Sequence, residues 1–142
     1  LYGLEAGKYR LALKTPKDQI INVEYTRDKS KKKAAYKKSK AINLKSDIDS
    51  IYTSTEKAAR WYKASVSSTK KRKAVTLSKD SVGGGFKFCV YQKGKRLKTV
   101  KVTKNDKVKT VKLPKKKGAY YVKVTKLTSK TTGAYYLGTY TY

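Results

Sequence analysis

No histidine and no methionine occur among the 142 residues, and cysteine appears once, at Cys89. Without histidine, Ser-His-Asp and Cys-His catalytic arrangements and His-ligated zinc are excluded. A lone thiol cannot form an intrachain disulfide. Cys89 sits in the strand-like run "FKFCVYQ" and reads as a small buried hydrophobe rather than a reactive nucleophile. No run of 18 apolar residues exists, so no transmembrane segment is expected. The opening "LYGLEAGKYR" lacks the basic start and apolar stretch of a signal peptide, so export would rest on a signal outside this sequence. The triplet Gly83-Gly84-Gly85 has no Lys-Ser/Thr signature after it, which rules out a phosphate loop and leaves a flexible turn. No acid and base flank any nucleophile. The chain is read as non-enzymatic, with no cofactor expected.

Acidic residues are also scarce: 9, against 37 basic ones, for a formal net charge of +28. Such a field favours polyanions of any kind. Only five of the cations are arginine (Arg10, Arg27, Arg60, Arg72 and Arg96); the other 32 are lysine. Arginine carries the rigid fork that grips phosphate or reads guanine, whereas lysine is a hydrated point charge. The surface therefore points to diffuse electrostatics rather than sequence reading. Lysine enrichment also arises from genome composition alone, so charge by itself names no partner.

What the chain has in quantity is tyrosine, 13 residues, in short runs separated by turn chemistry. "KYRLALK" (8–14) and "IINVEYT" (20–26) form a hairpin pattern around Pro16 and Asp18. Residues 28–40 are basic and poor in apolar residues, and read as a linker or mobile arm. "AINL" (41–44) is a short strand, and 45–57 a loop or short edge strand. Six further runs follow, at 59–66, 73–78, 86–92, 97–103, 107–113 and 119–127, before a closing "AYYLGTYTY" at 134–142. Short strands at this spacing predict an all-β, antiparallel β-sandwich. Period-2 alternation sends Tyr120, Val122 and Val124 to one face and Tyr121, Lys123 and Thr125 to the other. Phe86, Phe88 and Val90 likewise oppose Lys87, Cys89 and Tyr91. Val108 and Val111 differ in parity, which calls for a bulge or a shifted strand start. Of the neighbours Trp61 and Tyr62, tryptophan is the expected core residue.

The segments "RWYKASV", "FKFCVYQKGKRL", "VKTVKLPKKKGAYYVKVTK" and "TGAYYLGTY" together resemble the bacterial pre-peptidase C-terminal domain family over residues 41–142. The resemblance implies a jelly-roll-like sandwich appended to secreted bacterial proteases, similar to the collagen-binding modules of clostridial collagenases. Calcium-binding members use acidic N-terminal segments; here only Asp47, Asp49 and Glu56 lie in the comparable region, beside lysines. The first hairpin aligns with the last, Gly7 matching Gly118 at an offset of 111 residues. Residues 1–27 are accordingly expected to be the closing hairpin of a preceding copy. Alternatives are extra strands on the same sandwich, burying Leu11, Leu13, Ile21 and Val23, or strand exchange between chains.

Candidate binding residues are of two kinds. Basic clusters occur at Lys31-Lys32-Lys33, Lys37-Lys38-Lys40, Lys70-Lys71-Arg72-Lys73, Lys93-Lys95-Arg96 and Lys115-Lys116-Lys117, mostly at turns. "KKRK" at 70–73 also resembles a nuclear-localisation run. Tyrosines Tyr121, Tyr135, Tyr136, Tyr140 and Tyr142 would form an aromatic platform if several share a face; ordinary cross-strand packing is the alternative. The expected function is an extracellular or cell-surface spacer and adhesion module. Its expected partners are anionic polysaccharides or cell-wall polymers such as teichoic acids, or a host matrix protein, with nucleic acid bound only non-specifically. The other expectation is an accessory collagen- or protein-binding domain of a secreted hydrolase.

Overall fold

The structure, a computed structural model, describes residues 8, 10–14, 20–23, 34–44, 49–53, 59–129 and 131–142, with backbone alone at 49–53, 80–83 and 132. Among these residues nine strands follow in order: β1 (Ile42–Asn43), β2 (Asp49–Thr53), β3 (Arg60–Val66), β4 (Lys73–Gly83), β5 (Phe86–Gln92), β6 (Lys95–Val102), β7 (Val108–Lys112), β8 (Gly118–Lys126) and β9 (Thr132–Thr141). They form two sheets, one ordered β1-β3-β8-β5-β6 and the other β2-β9-β4-β7. Every pairing is antiparallel except β1 with β3. The predicted sandwich is the observed one.

Alternation decides which residues enter the core. Tyr62, Ala64, Phe86, Phe88, Val90, Tyr120, Val122 and Val124 come from the first sheet, and Val75, Leu77, Val111, Tyr135 and Leu137 from the second. The faces predicted for β5 and β8 hold, and Cys89 is buried on the outward side, its Sγ 3.3 Å from Thr99 Oγ1. Tryptophan is not the core residue of its pair. Tyr62 is fully buried and Trp61 half-buried on the outside, because Arg60, Tyr62 and Ala64 share the inward parity of β3.

β7 needs no bulge. Its register against β4 is continuous from Ser78↔Val108 to Ala74↔Lys112, and Val108 simply faces solvent at an edge. The irregularities lie between Asp80 and Gly83 in β4 and between Val90 and Tyr91 on β5. Gly85 serves close packing rather than flexibility: a side chain there would collide with the Val102 carbonyl oxygen.

Leu11, Leu13, Ile21 and Val23 are exposed, not buried as added strands of this sandwich would require. Residues 34–40, expected within a linker, lie against β3. There Trp61 N donates to the Ala35 carbonyl at 2.8 Å, Ala35 is buried, and Lys38–Lys40 form a 3-10 turn. Lys31 to Lys33 and most of the first hairpin lie outside the described residues.

Candidate functional site

Strand direction brings three of the basic clusters to one end of the sandwich. Val66 of β3 pairs with Gly118 of β8, and Gln92 of β5 with Tyr120. In the other sheet Lys73 of β4 pairs with Thr141, and Ala74 with Lys112. The β3–β4 loop with Lys70, Lys71 and Arg72, the β5–β6 hairpin with Lys93, Lys95 and Arg96, and the β7–β8 loop with Lys115, Lys116 and Lys117 therefore emerge together. All nine are exposed, and Lys73 at the start of β4 is half-buried among them. Asp80 and Asp106, the two acids between residues 57 and 142, belong to the opposite end, beyond Ser78 and Val102.

Each loop is held by specific bonds. Buried Tyr120 donates its hydroxyl to the Lys116 carbonyl at 2.8 Å, folding the 115–117 loop onto the core. Burial raises that phenol above its ordinary pKa, with Gln92 pulling the other way. Arg72 and Tyr142 exchange backbone hydrogen bonds at 3.1 and 2.9 Å. Lys73 Nζ donates to the Ser65 carbonyl at 2.8 Å. The β5–β6 turn places Lys93 and Gly94 at φ 47° and 80°, a two-residue hairpin that suits the sheet's twist and turns the lysine outward. Lys112, not among the sequence candidates, joins this end with its Nζ 5.5 Å from the Tyr142 ring. The Tyr140 and Tyr142 rings lie 5.7 Å apart and are exposed.

The five candidate tyrosines do not share one platform: Tyr136 and Tyr140 lie on the outer face of the second sheet with Tyr142 beside Tyr140, while Tyr121 and Tyr135 do not join them. Tyr135 is fully buried, its hydroxyl 2.6 Å from that of Tyr62. Tyr136 is half-buried on the outer face of the second sheet, and Tyr121 on the outer face of the first. Successive residues of one strand face opposite ways, so Tyr135 and Tyr136 cannot share a surface. A different aromatic group forms instead. Trp61, Tyr91 and Tyr121 share the outer face of the first sheet, with the Trp61 and Tyr91 rings 5.6 Å apart at 44°. Lys123 Nζ lies 5.5 Å from the Trp61 ring and Lys38 Nζ 4.7 Å from the Tyr121 ring. Burial foremost, and Cys89 next, raise the Tyr91 phenol, with Arg96 opposing them. The alternation of "FKFCVYQ" had placed Tyr91 outward, but the cross-strand register that joins it to Trp61 has no local signal.

A cavity of about 350 Å³ opens between edge strands β6 and β7, lined by Val90, Leu97, Lys98, Val111, Lys112 and Pro114. Asp47 and Glu56 lie outside the described residues, and Asp49 is described by backbone alone.

No family model matches the chain, and no curated protein matches it. Among solved structures the chain is similar to the pre-peptidase C-terminal domain of a collagenase from Bacillus anthracis. The TM-score is 0.52 and the identity 16%, over 70% of this chain and 91% of that one. The likeness shows a shared β-sandwich fold.

Proposed function

We infer that this domain is a non-catalytic, extracellular or cell-surface module that holds anionic polymers at the basic end of its sandwich, as a spacer and adhesion unit. The observation that carries this reading is the convergence of Lys70, Lys71, Arg72, Lys93, Lys95, Arg96, Lys115, Lys116 and Lys117 on one end, with the nearby acids at the other. The likeness to a C-terminal domain of a collagenase supports an accessory module. Lysine-rich contact is weak per site, multivalent and driven by counterion release. Residues 1–27 fit the closing hairpin of a preceding module. Leu11 and Leu13 match Val122 and Val124, which face the core of β8, yet are exposed in this chain.

The test is affinity for teichoic acid, heparin, mucin, DNA and collagen across a salt series. The reading predicts binding to several polyanions that falls about a thousandfold between about 50 and about 200 mM salt, as 6–10 charge contacts give on DNA. Binding undiminished by salt contradicts it. The structural neighbour favours one second reading, an accessory domain that engages a protein substrate. With Tyr135 buried, that reading is confined to exposed rings such as Tyr136 and predicts salt-insensitive binding to collagen alone.

A further inference from the structure

The outer face of the first sheet combines rings and cations in register. One row across β3, β8, β5 and β6 reads Lys63, Tyr121, Tyr91 and Arg96; the next reads Trp61, Lys123, Cys89 and Thr99. Rows on one face are two residues apart along the strand, about 7 Å, and neighbouring strands about 4.8 Å apart. Trp61 and Tyr91 stand on strands separated by β8, and their rings lean over it to 5.6 Å. Trp61 and Tyr121 each carry a lysine ammonium within 5.5 Å and 4.7 Å of the ring centre. All three aromatics are half-buried, so their positions are held by the sheet while part of each ring meets solvent. Through Arg96 the face is continuous with the basic end.

We propose that this face is a stacking site for an acidic polysaccharide, the sugar rings lying on Trp61, Tyr91 and Tyr121 while their carboxylates meet Lys38, Lys63, Lys123 and Arg96. The proposal rests on the polyanion reading above and gives it a ligand class. A saccharide presents an apolar C–H face and an acidic edge from the same unit, which is what a ring flanked by an ammonium accepts. The charge is complementary: no acidic side chain between residues 57 and 142 falls in either row. The tilt selects between ring-bearing polyanions. Successive stacked bases are roughly parallel, whereas Trp61 and Tyr91 are 44° apart, and a saccharide chain whose rings rotate along its length follows that change of plane. Asn43 of edge strand β1, in register with Lys63, adds an exposed amide at the margin of this face.

Trp61 is the only tryptophan, so its intrinsic fluorescence reports on the site in the unaltered protein. Titration with polygalacturonate should shift or quench that emission at saturation, while polyphosphate, which carries charge without sugar rings, should bind and leave the emission nearly unchanged. Tyr91→Ala should then weaken polygalacturonate binding about tenfold and polyphosphate binding little, the size expected for loss of one stacking contact. Equal fluorescence responses to both polymers, or equal losses in the variant, overturn the stacking site while leaving the basic end intact. A larger response and a larger Tyr91→Ala loss with oligothymidylate than with polygalacturonate overturn the sugar in favour of nucleic acid. Failure to bind any of the three overturns the polyanion reading itself.

Discussion

The hydroxyls of Tyr62 and Tyr135 meet at 2.6 Å across the two sheets, in the fully buried centre of the sandwich. Their rings stand edge to face at 6.5 Å, and Phe86 packs on Tyr135 at 4.9 Å. Burial, then the Tyr62 hydroxyl, raises the Tyr135 phenol well above its ordinary value, with Arg60 opposing. The pair, with Arg60 beside it, is a polar tie between two largely apolar faces.

Tyr135→Phe keeps the ring and removes one member of this tie, leaving a buried group short of a partner. The expected cost is about 1–3 kcal/mol, seen as a lower denaturation midpoint with an unchanged denaturant slope. Because the folded phenol resists ionisation, its contribution is present below the unfolded tyrosine pKa of about 10 and is lost as pH rises above it. The gap between the parent and Tyr135→Phe should therefore narrow in strongly alkaline buffer.

The reach of sequence reasoning is visible in this pair. Strand runs, face assignments in β5 and β8 and the sandwich itself were legible, because alternation is a local signal. Tyr135 was read as a surface residue because "AYYLGTYTY" has aromatics at both parities, and only the opposing sheet decides which parity is inward. The same ambiguity exchanged Trp61 for Tyr62. The basic end was legible as separate clusters. Their convergence depended on strand order, which alternation does not contain.

Asp106 accepts hydrogen bonds from the Thr103 amide at 2.9 Å and hydroxyl at 2.7 Å, and pairs with Lys109 at 2.6 Å. The hydrogen bond from Lys109, then those from Thr103, hold its carboxyl far below the usual range. A depressed carboxylate stabilises the fold above its unfolded pKa of about 3.9, and that contribution is lost as pH falls below it. Asp106→Asn should lower Tm at neutral pH, and the difference from the parent should shrink on acidification. A constant difference from neutral to acid pH would contradict this role.

Gly85 and Gly94 should differ sharply. A Cβ at Gly85 meets the Val102 carbonyl and lies 3.0 Å from Thr103 Cα, so backbone must move; at Gly94 there is open space and only a φ of 80° to strain. Gly94→Ala should cost about 1–2 kcal/mol, and Gly85→Ala distinctly more, both read from urea unfolding.

Deleting residues 1–33 should leave Tm nearly unchanged, since Leu11, Leu13, Ile20, Ile21 and Val23 are exposed and contribute no core. Extending the deletion through residue 44 removes Ala35 and Leu44, both buried, and the backbone bonds to Trp61 and Lys63, and should lower it. Equal melting of all three forms would contradict the packing of 34–44 on β3.

The proposed binding end depends on charge position, not on charge alone. Its most direct test compares two variants of equal net charge on one anionic polymer, heparin, at fixed salt. One carries Lys70, Lys71, Lys93, Lys116 and Lys117 changed to Gln; the other carries the same change at Lys87, Lys101, Lys104, Lys107 and Lys126, toward the opposite end. A localised binding end predicts at least a tenfold greater loss of affinity for the first, with a shallower salt dependence. Equal losses would mean that only the overall field matters, and would contradict it.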